Sequence, residues 1–384
     1  MHVTHFRAYP RALIRRIVLA TSATLVSFLV GPVVAGSGAV AAVKAGFVPA
    51  LLARVPGSNI VYVLGNTKCS HSDCFHLFRT NDNGASFTTT SLPPIHNERG
   101  SPTGDLSQLV FANSMDGYAV EGNYYSRSLY VTTNDAKSWQ KRVVVQGRDI
   151  RGITVTSNRL YVMTMRCPHK TGNCTDFRLA RSLLNAESWV SATIPNNTFS
   201  EGGFPGSVAA FGSHVWFTEA LHSTWLVTSR DGGRTFTKRS IPWPTLVSVA
   251  GCGLTATSDE TLWAECPTGM QVSYYYSASA GRNWTRILAS KQIMGTGGIY
   301  FDPVSSDLAL LDVGGPSFDI YRITNSAKGV AVVGRLVSPN AGPTMVFTSG
   351  KDALSISSPS RNSAKIVLRS TSNGGTSWRR LTVF

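Results

Sequence analysis

The chain has 384 residues, 42% of them apolar and 15% charged, with 36 lysines and arginines against 21 acids for a formal net charge of +15. That length alone suggests two or more domains, and that charge favours anionic partners such as wall polymers, acidic sugars or lipid headgroups. There is no phosphate-cradling glycine loop ending in Lys-Ser/Thr, no H-E-x-x-H and no G-x-S-x-G elbow, which argues against the chemistries those motifs serve.

At the start, Arg7, Arg11, Arg15 and Arg16 precede an apolar run from Ile17 to Val34, no acid occurs, and Ala39 and Ala41 then form an A-x-A site. This is the layout of a secretory signal peptide over residues 1–41. An uncleaved membrane anchor is the alternative, since the run approaches spanning length, though Gly31 and Pro32 interrupt it. Arg15 and Arg16 also raise twin-arginine export, but their neighbours do not complete that signal. Cleavage removes four of the 36 basic residues and none of the 21 acids, which leaves +11 on a secreted or cell-envelope protein. Nucleic acid is not expected as a partner of an exported chain without a recognisable binding module.

Six cysteines fall in three short-range pairs, Cys69 with Cys74, Cys167 with Cys174 and Cys252 with Cys266. An even count in an exported chain predicts disulfides. A zinc site is the alternative for "CSHSDCFH", which gathers Cys69, His71, Cys74 and His76, but the spacing matches no finger pattern. Neither metal nor cofactor is expected.

From residue 43 onward one eight-residue phrase recurs. "TNDNGASF" (80–87) and "SRDGGRTF" (229–236) are the clean copies, "TSNGGTSW" (371–378) differs by one amide, and "TTNDAKSW" (132–139), "SLLNAESW" (182–189) and "SASAGRNW" (277–284) are weaker. The closing aromatics Phe87, Trp139, Trp189, Phe236 and Trp284 stand 52, 50, 47 and 48 residues apart, and Trp378 follows after 94. The last gap is two periods, with "TNSAKGVA" (324–331) where the decayed copy belongs. Such a period means stacked supersecondary units, so residues 43–384 are expected to be one domain.

Within a period, three short runs precede the phrase and one follows. Around the fourth copy these are "SVAAF", "HVWFTE", "TWLVTS" and "TFTKRSI". Rich in β-branched and aromatic residues and separated by Gly, Asn, Ser and Pro, they read as antiparallel strands. Four strands in each of seven units predict an all-β, seven-bladed β-propeller. The first unit takes its strands from the N-terminal end and the last from the C-terminal end, so closure without an exchanged strand is expected. The phrase is then the turn between third and fourth strands. Asp82 and Asp231 accept backbone hydrogen bonds, Gly84, Gly233 and Gly375 supply positive φ, and the closing ring buries itself between sheets.

On these residues the chain resembles the Asp-box, or BNR-repeat, sialidase-like propellers. That group includes sialidases, other glycoside hydrolases, sorting receptors and photosystem assembly factors, so the resemblance implies a fold and leaves function open. The face opposite the phrase forms the mouth of a central funnel, the default ligand site. It gathers Glu98, Arg99, Asp105, Arg148, Asp149, Arg151 and Glu201 from links between blades. His71, His76, Glu121, Tyr124, Tyr125, Arg127, Lys170, Glu219 and His222 come from turns between second and third strands.

For a sialidase, the resemblance implies an arginine clamp on a carboxylate from Arg99, Arg127, Arg148 and Arg151, an acid from Asp105 or Asp149, and a nucleophile from Tyr124 or Tyr125 with Glu121. The chain lacks the Arg-Ile/Leu-Pro signature of that family and has seven units where sialidases have six. A two-carboxylate glycosidase would draw on Glu98, Asp105, Asp149, Glu201 and Glu219. The leading expectation is a monomer that binds a glycan or an envelope protein, anionic in character, without turnover. An envelope scaffold using its flat outer faces is the third reading.

Overall fold

A computed structural model describes residues 46–69, 73–96, 103–123, 126–166, 175–194, 205–219, 225–241, 252–268, 271–287, 300–313, 318–324, 329–336, 344–357 and 366–381. The leader over 1–41 and the Cys167–Cys174 pair lie outside them. The fold is the expected one: seven four-stranded antiparallel sheets, each taking its strands in chain order, arranged as a β-propeller. The blades span 48–90, 106–142, 149–193, 205–240, 253–287, 300–336 and 344–380. No helix long and apolar enough to cross a membrane occurs among the described residues.

Blade 1 shows why this sequence makes blades. Its second strand, Val61–Lys68, lies between the first strand, Val48–Arg54, and the third, Asp73–Thr80. Successive side chains of a strand leave opposite faces, and here both faces are covered. Val61 and Val63 pack towards blade 7 on Val346, Leu354 and Leu368, while Tyr62 and Leu64 pack towards blade 2 on Leu109, Phe111 and Ala119. Each fully buried side chain of this size contributes about 1.5–3 kcal/mol. Seven such clusters, one at each junction between neighbouring blades, replace a single central core.

Among the described residues no strand is exchanged at closure: the first four strands form blade 1 and the last four blade 7. Side chains close the ring instead. Apolar residues of blades 1 and 7 share one cluster, and Asn83 Nδ2 donates to the Thr371 carbonyl at 2.7 Å.

The recurring phrase forms the turn between third and fourth strands. Asp82 accepts from Thr80 Oγ1 at 2.8 Å and from the Ser86 amide at 2.9 Å, and Thr80 Oγ1 accepts from the Gly84 amide at 3.0 Å. Asp231 repeats the pattern with Ser229, Thr235 and Gly233. Gly84, at φ 80°, also lies where a Cβ would meet Leu381 at 2.3 Å, so both conformation and space demand glycine there. The closing rings differ from expectation in depth. Phe87 is buried, but Trp139, Trp189, Phe236, Trp284 and Trp378 are half-buried against the blade junctions. A fourth strand of two to four residues is too short to cover an indole fully.

Five of the most deeply buried rings sit near the start of second strands: Tyr62, Tyr118, Tyr161, Trp216 and Trp263. Four of them reach with their polar tips to a turn of the next blade. Tyr62 Oη donates to Asp135 Oδ1, Tyr118 Oη to the Leu184 carbonyl at 2.6 Å, Trp216 Nε1 to the Ala280 carbonyl at 3.2 Å and Trp263 Nε1 to the Ser305 carbonyl at 3.2 Å. Arg181 and Arg322, on third strands, do the same for the Gly232 and Gly350 carbonyls. With Asn83 and Thr371 at closure, every junction between blades carries such a latch.

Candidate functional site

Links between blades and turns between second and third strands share the face opposite the phrase. Blades 2 and 3 concentrate the described polar groups on that face. Asp149 opens the inner strand of blade 3, Asp149–Val155, and Arg151 sits at a register shift between Ile150 and Gly152, where one extra residue interrupts the strand's alternation. Arg127, near the start of the third strand of blade 2, Ser126–Thr132, donates through Nη1 to the Arg151 carbonyl at 3.3 Å. Arg151 Nε points to Met165 Sδ at 3.0 Å. Burial pushes the Asp149 carboxyl up, and the nearby Arg151 and Arg127 charges only partly offset it. The structure thus brings Arg127, Asp149 and Arg151 together.

Arg148 goes elsewhere. Its guanidinium pairs with Asp176 and its Nε donates to Thr164 Oγ1 at 3.2 Å, leaving the side chain 2% exposed. Arg178 Nε pairs with the other Asp176 oxygen at 3.1 Å. Burial opposes the Asp176 charge, but the two guanidinium groups outweigh it and hold its pKa low. In this geometry Arg148 serves the frame of blade 3, not an open clamp.

Glu121 is likewise engaged. It is buried near the end of the second strand of blade 2, Gly117–Asn123, and its Oε1 meets His96 Nδ1 at 2.6 Å and the His96 amide at 3.3 Å. Asp105 lies beside this pair through its backbone: its amide donates to the His96 carbonyl at 2.7 Å and its carbonyl accepts from Gly122 at 3.0 Å. Burial, then the Glu121 charge, push the neighbouring Tyr130 phenol up.

Cys69 and Cys74 are joined in a disulfide across the turn after the second strand of blade 1, and His76 Nε2 faces Thr67 Oγ1 at 2.9 Å. The two thiolates that zinc would need at this turn are therefore spent. Cys252 and Cys266 form a second disulfide at the funnel end of blade 5. Two disulfides point to an extracytoplasmic compartment. Glu219 ends the second strand of blade 4, His214–Glu219. Glu98, Arg99, Tyr124, Tyr125, Glu201, His71, Lys170 and His222 lie outside the described residues.

Sequence reasoning missed His96, Met165, Asp176 and Arg178 as neighbours of the candidates. It also missed Glu265, a largely enclosed carboxyl beside Cys266 whose pKa burial pushes up to about 7. Only the alternation of Asp176 with Arg178 on one strand face offered a signal.

No family model matches the chain, and no curated protein matches it. Its fold is similar to solved structures. A puromycin hydrolase matches with a TM-score of 0.59 at 14% identity, over 88% of this chain and 54% of that one. A puromycin-hydrolyzing peptidase from Mycobacterium tuberculosis matches with a TM-score of 0.60 at 9% identity, over 88% and 54%. YCF48 from Cyanidioschyzon merolae matches with a TM-score of 0.50 at 13% identity, over 72% and 84%. The chain spans about half the length of the two hydrolases. At these identities the likeness shows a shared propeller fold.

Proposed function

We propose that this is an extracytoplasmic propeller of Asp-box type that binds a carboxylate-bearing ligand, an acidic glycan or an acidic segment of an envelope protein, at its funnel mouth without turnover. The observation that carries this reading is the Arg127–Asp149–Arg151 group, in which two guanidinium groups flank one carboxylate at a blade junction on the funnel face. A ligand carboxylate gains charge-assisted hydrogen bonds from such a pair. The net positive charge adds long-range attraction. Titration calorimetry of the mature chain with sialyl and uronic-acid oligosaccharides and with acidic peptides tests it. Binding that weakens with salt and is lost in Arg127→Ala and Arg151→Ala is expected; binding indifferent to both substitutions would overturn the reading.

A sialidase-like hydrolase is the second reading. It is favoured by the raised Asp149 pKa, as a catalytic acid requires. Against it stand the commitment of Arg148 to Asp176 and of Glu121 to His96. Turnover of a fluorogenic sialoside that disappears in Asp149→Asn would establish it.

A further inference from the structure

The junction of blades 1 and 2 and that of blades 3 and 4 are built on one plan. Tyr62 and Arg79 stand opposite one another in register on the second and third strands of blade 1, as Tyr161 and Arg181 do in blade 3. Each pair meets the recurring turn of the next blade. In blade 2 the fourth residue of the phrase is Asp135: Tyr62 Oη donates to its carboxylate, and Arg79 Nε ion-pairs with it at 3.0 Å. In blade 4 the fourth residue is Gly232. The two backbones match there. Asp135 has φ 61° and its amide donates to the Met115 carbonyl at 3.1 Å; Gly232 has φ 71° and its amide donates to the Ser213 carbonyl at 2.8 Å. Met115 and Ser213 both lie in the turn between first and second strands of their blade.

Blade 4 thus lacks a carboxylate that blade 2 supplies, and the partners show it. Among the described residues the buried Tyr161 hydroxyl has no hydrogen bond, and Arg181 has no ion pair; its Nη1 donates to the Gly232 carbonyl at 2.6 Å instead. The start of the missing side chain has room. A Cβ on Gly232 would meet only the Tyr161 oxygen, at 3.5 Å, an ordinary contact. Gly374, the same position in blade 7, has no such space, since a Cβ there would meet Arg322 Nη1 at 2.9 Å.

Positive charge is in surplus around this gap. Arg159 precedes Tyr161 by two residues and leaves the same face of its strand, where blade 1 has Ile60. Arg234 follows Gly232 by two, where blade 2 has Lys137. Burial pulls the Arg181 guanidinium down, and the nearby Arg234 and Arg159 charges pull it further. Asp231 is the acid that opposes this. Its two oxygens already accept from Ser229 Oγ, the Arg234 and Thr235 amides and Thr235 Oγ1.

We propose that the gap between Tyr161, Arg181 and Gly232 binds a small carboxylate of acetate size, which takes the place that the Asp135 side chain fills in blade 2 and clips blade 3 to blade 4. Acetate reproduces the atoms of an aspartate side chain. It accepts from the Tyr161 hydroxyl and the Arg181 guanidinium, as Asp135 does from Tyr62 and Arg79, and Arg159 and Arg234 add attraction. The site lies on the face that carries the phrase, opposite the funnel.

The test uses the full chain with acetate, with chloride at equal ionic strength, and with trimethylacetate, which has the same charge on a body too wide for the place of one aspartate side chain. A thermal midpoint that rises saturably with acetate, half-maximal on the order of millimolar, and stays flat with both controls is expected. Gly232→Asp supplies the carboxylate within the chain, at a φ that Asp135 already holds, and should abolish the response. Tyr161→Phe and Arg159→Gln should keep the midpoint in chloride and each weaken the acetate response at least about threefold, so the test stands even if Gly232→Asp fails to fold. Arg151→Ala separates this site from the funnel group and should leave the response in place. No response, an equal response to either control, or one that survives in Gly232→Asp would overturn the proposal. So would a response that Tyr161→Phe and Arg159→Gln both leave at full strength, or one lost in Arg151→Ala.

Discussion

Arg54, at the end of the inner strand of blade 1, ion-pairs with Asp302 of blade 6 at 3.1 Å, although 248 residues separate them. The pair encloses blade 7: Arg54 donates to the Phe347 and Pro303 carbonyls at 2.8 Å each, and Asp302 accepts from the Phe347 amide at 2.7 Å. Burial pushes the Asp302 carboxyl up, and Arg54 with the Phe347 amide offsets this only in part. A propeller that exchanges no strand relies on such bonds to hold its first and last blades together. Arg54→Ala would leave a buried, unpaired carboxylate, so a loss of about 3–5 kcal/mol is expected. Because a carboxyl with a raised pKa escapes the penalty by taking up a proton, the deficit should shrink as the pH falls from 8 to 5. Denaturant unfolding at the two pH values checks this; a deficit below about 1 kcal/mol would show that apolar packing alone closes the ring.

The latch from Tyr118 to the Leu184 carbonyl joins blades 2 and 3 with one hydrogen bond of 2.6 Å at a fully buried ring. Tyr118→Phe keeps the ring and deletes the donor, leaving the carbonyl unsatisfied. A loss of about 1–2 kcal/mol is expected. Tyr161 is the internal control. It occupies the same position in blade 3, but among the described residues its hydroxyl has no hydrogen-bond partner and Arg181 holds the junction instead. Tyr161→Phe should therefore be neutral or mildly stabilising. Equal losses in the two variants would mean that the latches contribute nothing beyond ring packing.

The recurring turn was legible because its hydrogen bonds are local: Thr80, Asp82, Gly84 and Ser86 satisfy one another within seven residues, so the chemistry is written contiguously. Side-chain partners on the funnel face were not. Period and turn polarity place Arg148 and Asp149 on that face, yet nothing in the chain says that Arg148 turns to Asp176 while Asp149 stays beside Arg127 and Arg151. Ring depth was misjudged for a related reason. The phrase marks Trp139 and Trp284 by position, whereas burial follows the second strand, covered by sheets on both sides, and so favours Tyr118 and Trp263.

Within the turn, the carboxylate of Asp82 accepts from Thr80, the Ser86 amide and the Ser86 hydroxyl. Asn373 holds the same turn in blade 7, accepting from Thr371 Oγ1 and the Ser377 amide and donating through Nδ2 to Ser377 Oγ at 2.8 Å. Asn134 does so in blade 2. The amide thus reproduces the pattern by reversing one hydroxyl. Asp82→Asn should cost under about 0.5 kcal/mol near neutral pH and Asp82→Ala about 1–2 kcal/mol. Burial opposes the Asp82 charge, but the bonds from Ser86, Thr80 and Ala85 outweigh it and depress the folded pKa. Its contribution is therefore present above the usual carboxylate pKa and lost as the pH falls through the depressed value, and Asp82→Asn should flatten that acid limb. Thermal melts of the three proteins from pH 7 to pH 3 decide the matter.

Glu265 runs the opposite way. It lies on the second strand of blade 5, Leu262–Thr268, between Gly253 and Tyr274 in register, with Cys266 locked next to it. Its side of the strand is shared with Trp263, at the junction with blade 6, and burial raises its pKa from 4.5 to about 7. The unfolded chain gives up this proton near pH 4.5, whereas the folded protein retains it until about pH 7. Stability contributed by the protonated group is thus complete below the first value, declines between the two and is gone above the second. The shift corresponds to on the order of 3 kcal/mol. Glu265→Gln keeps the shape and cannot ionise, so it should match the wild type at pH 4.5 and exceed it by about 2–3 kcal/mol at pH 8. Denaturant unfolding at both values measures the difference. An advantage of the variant that does not change with pH would show that Glu265 already meets enough water to ionise normally.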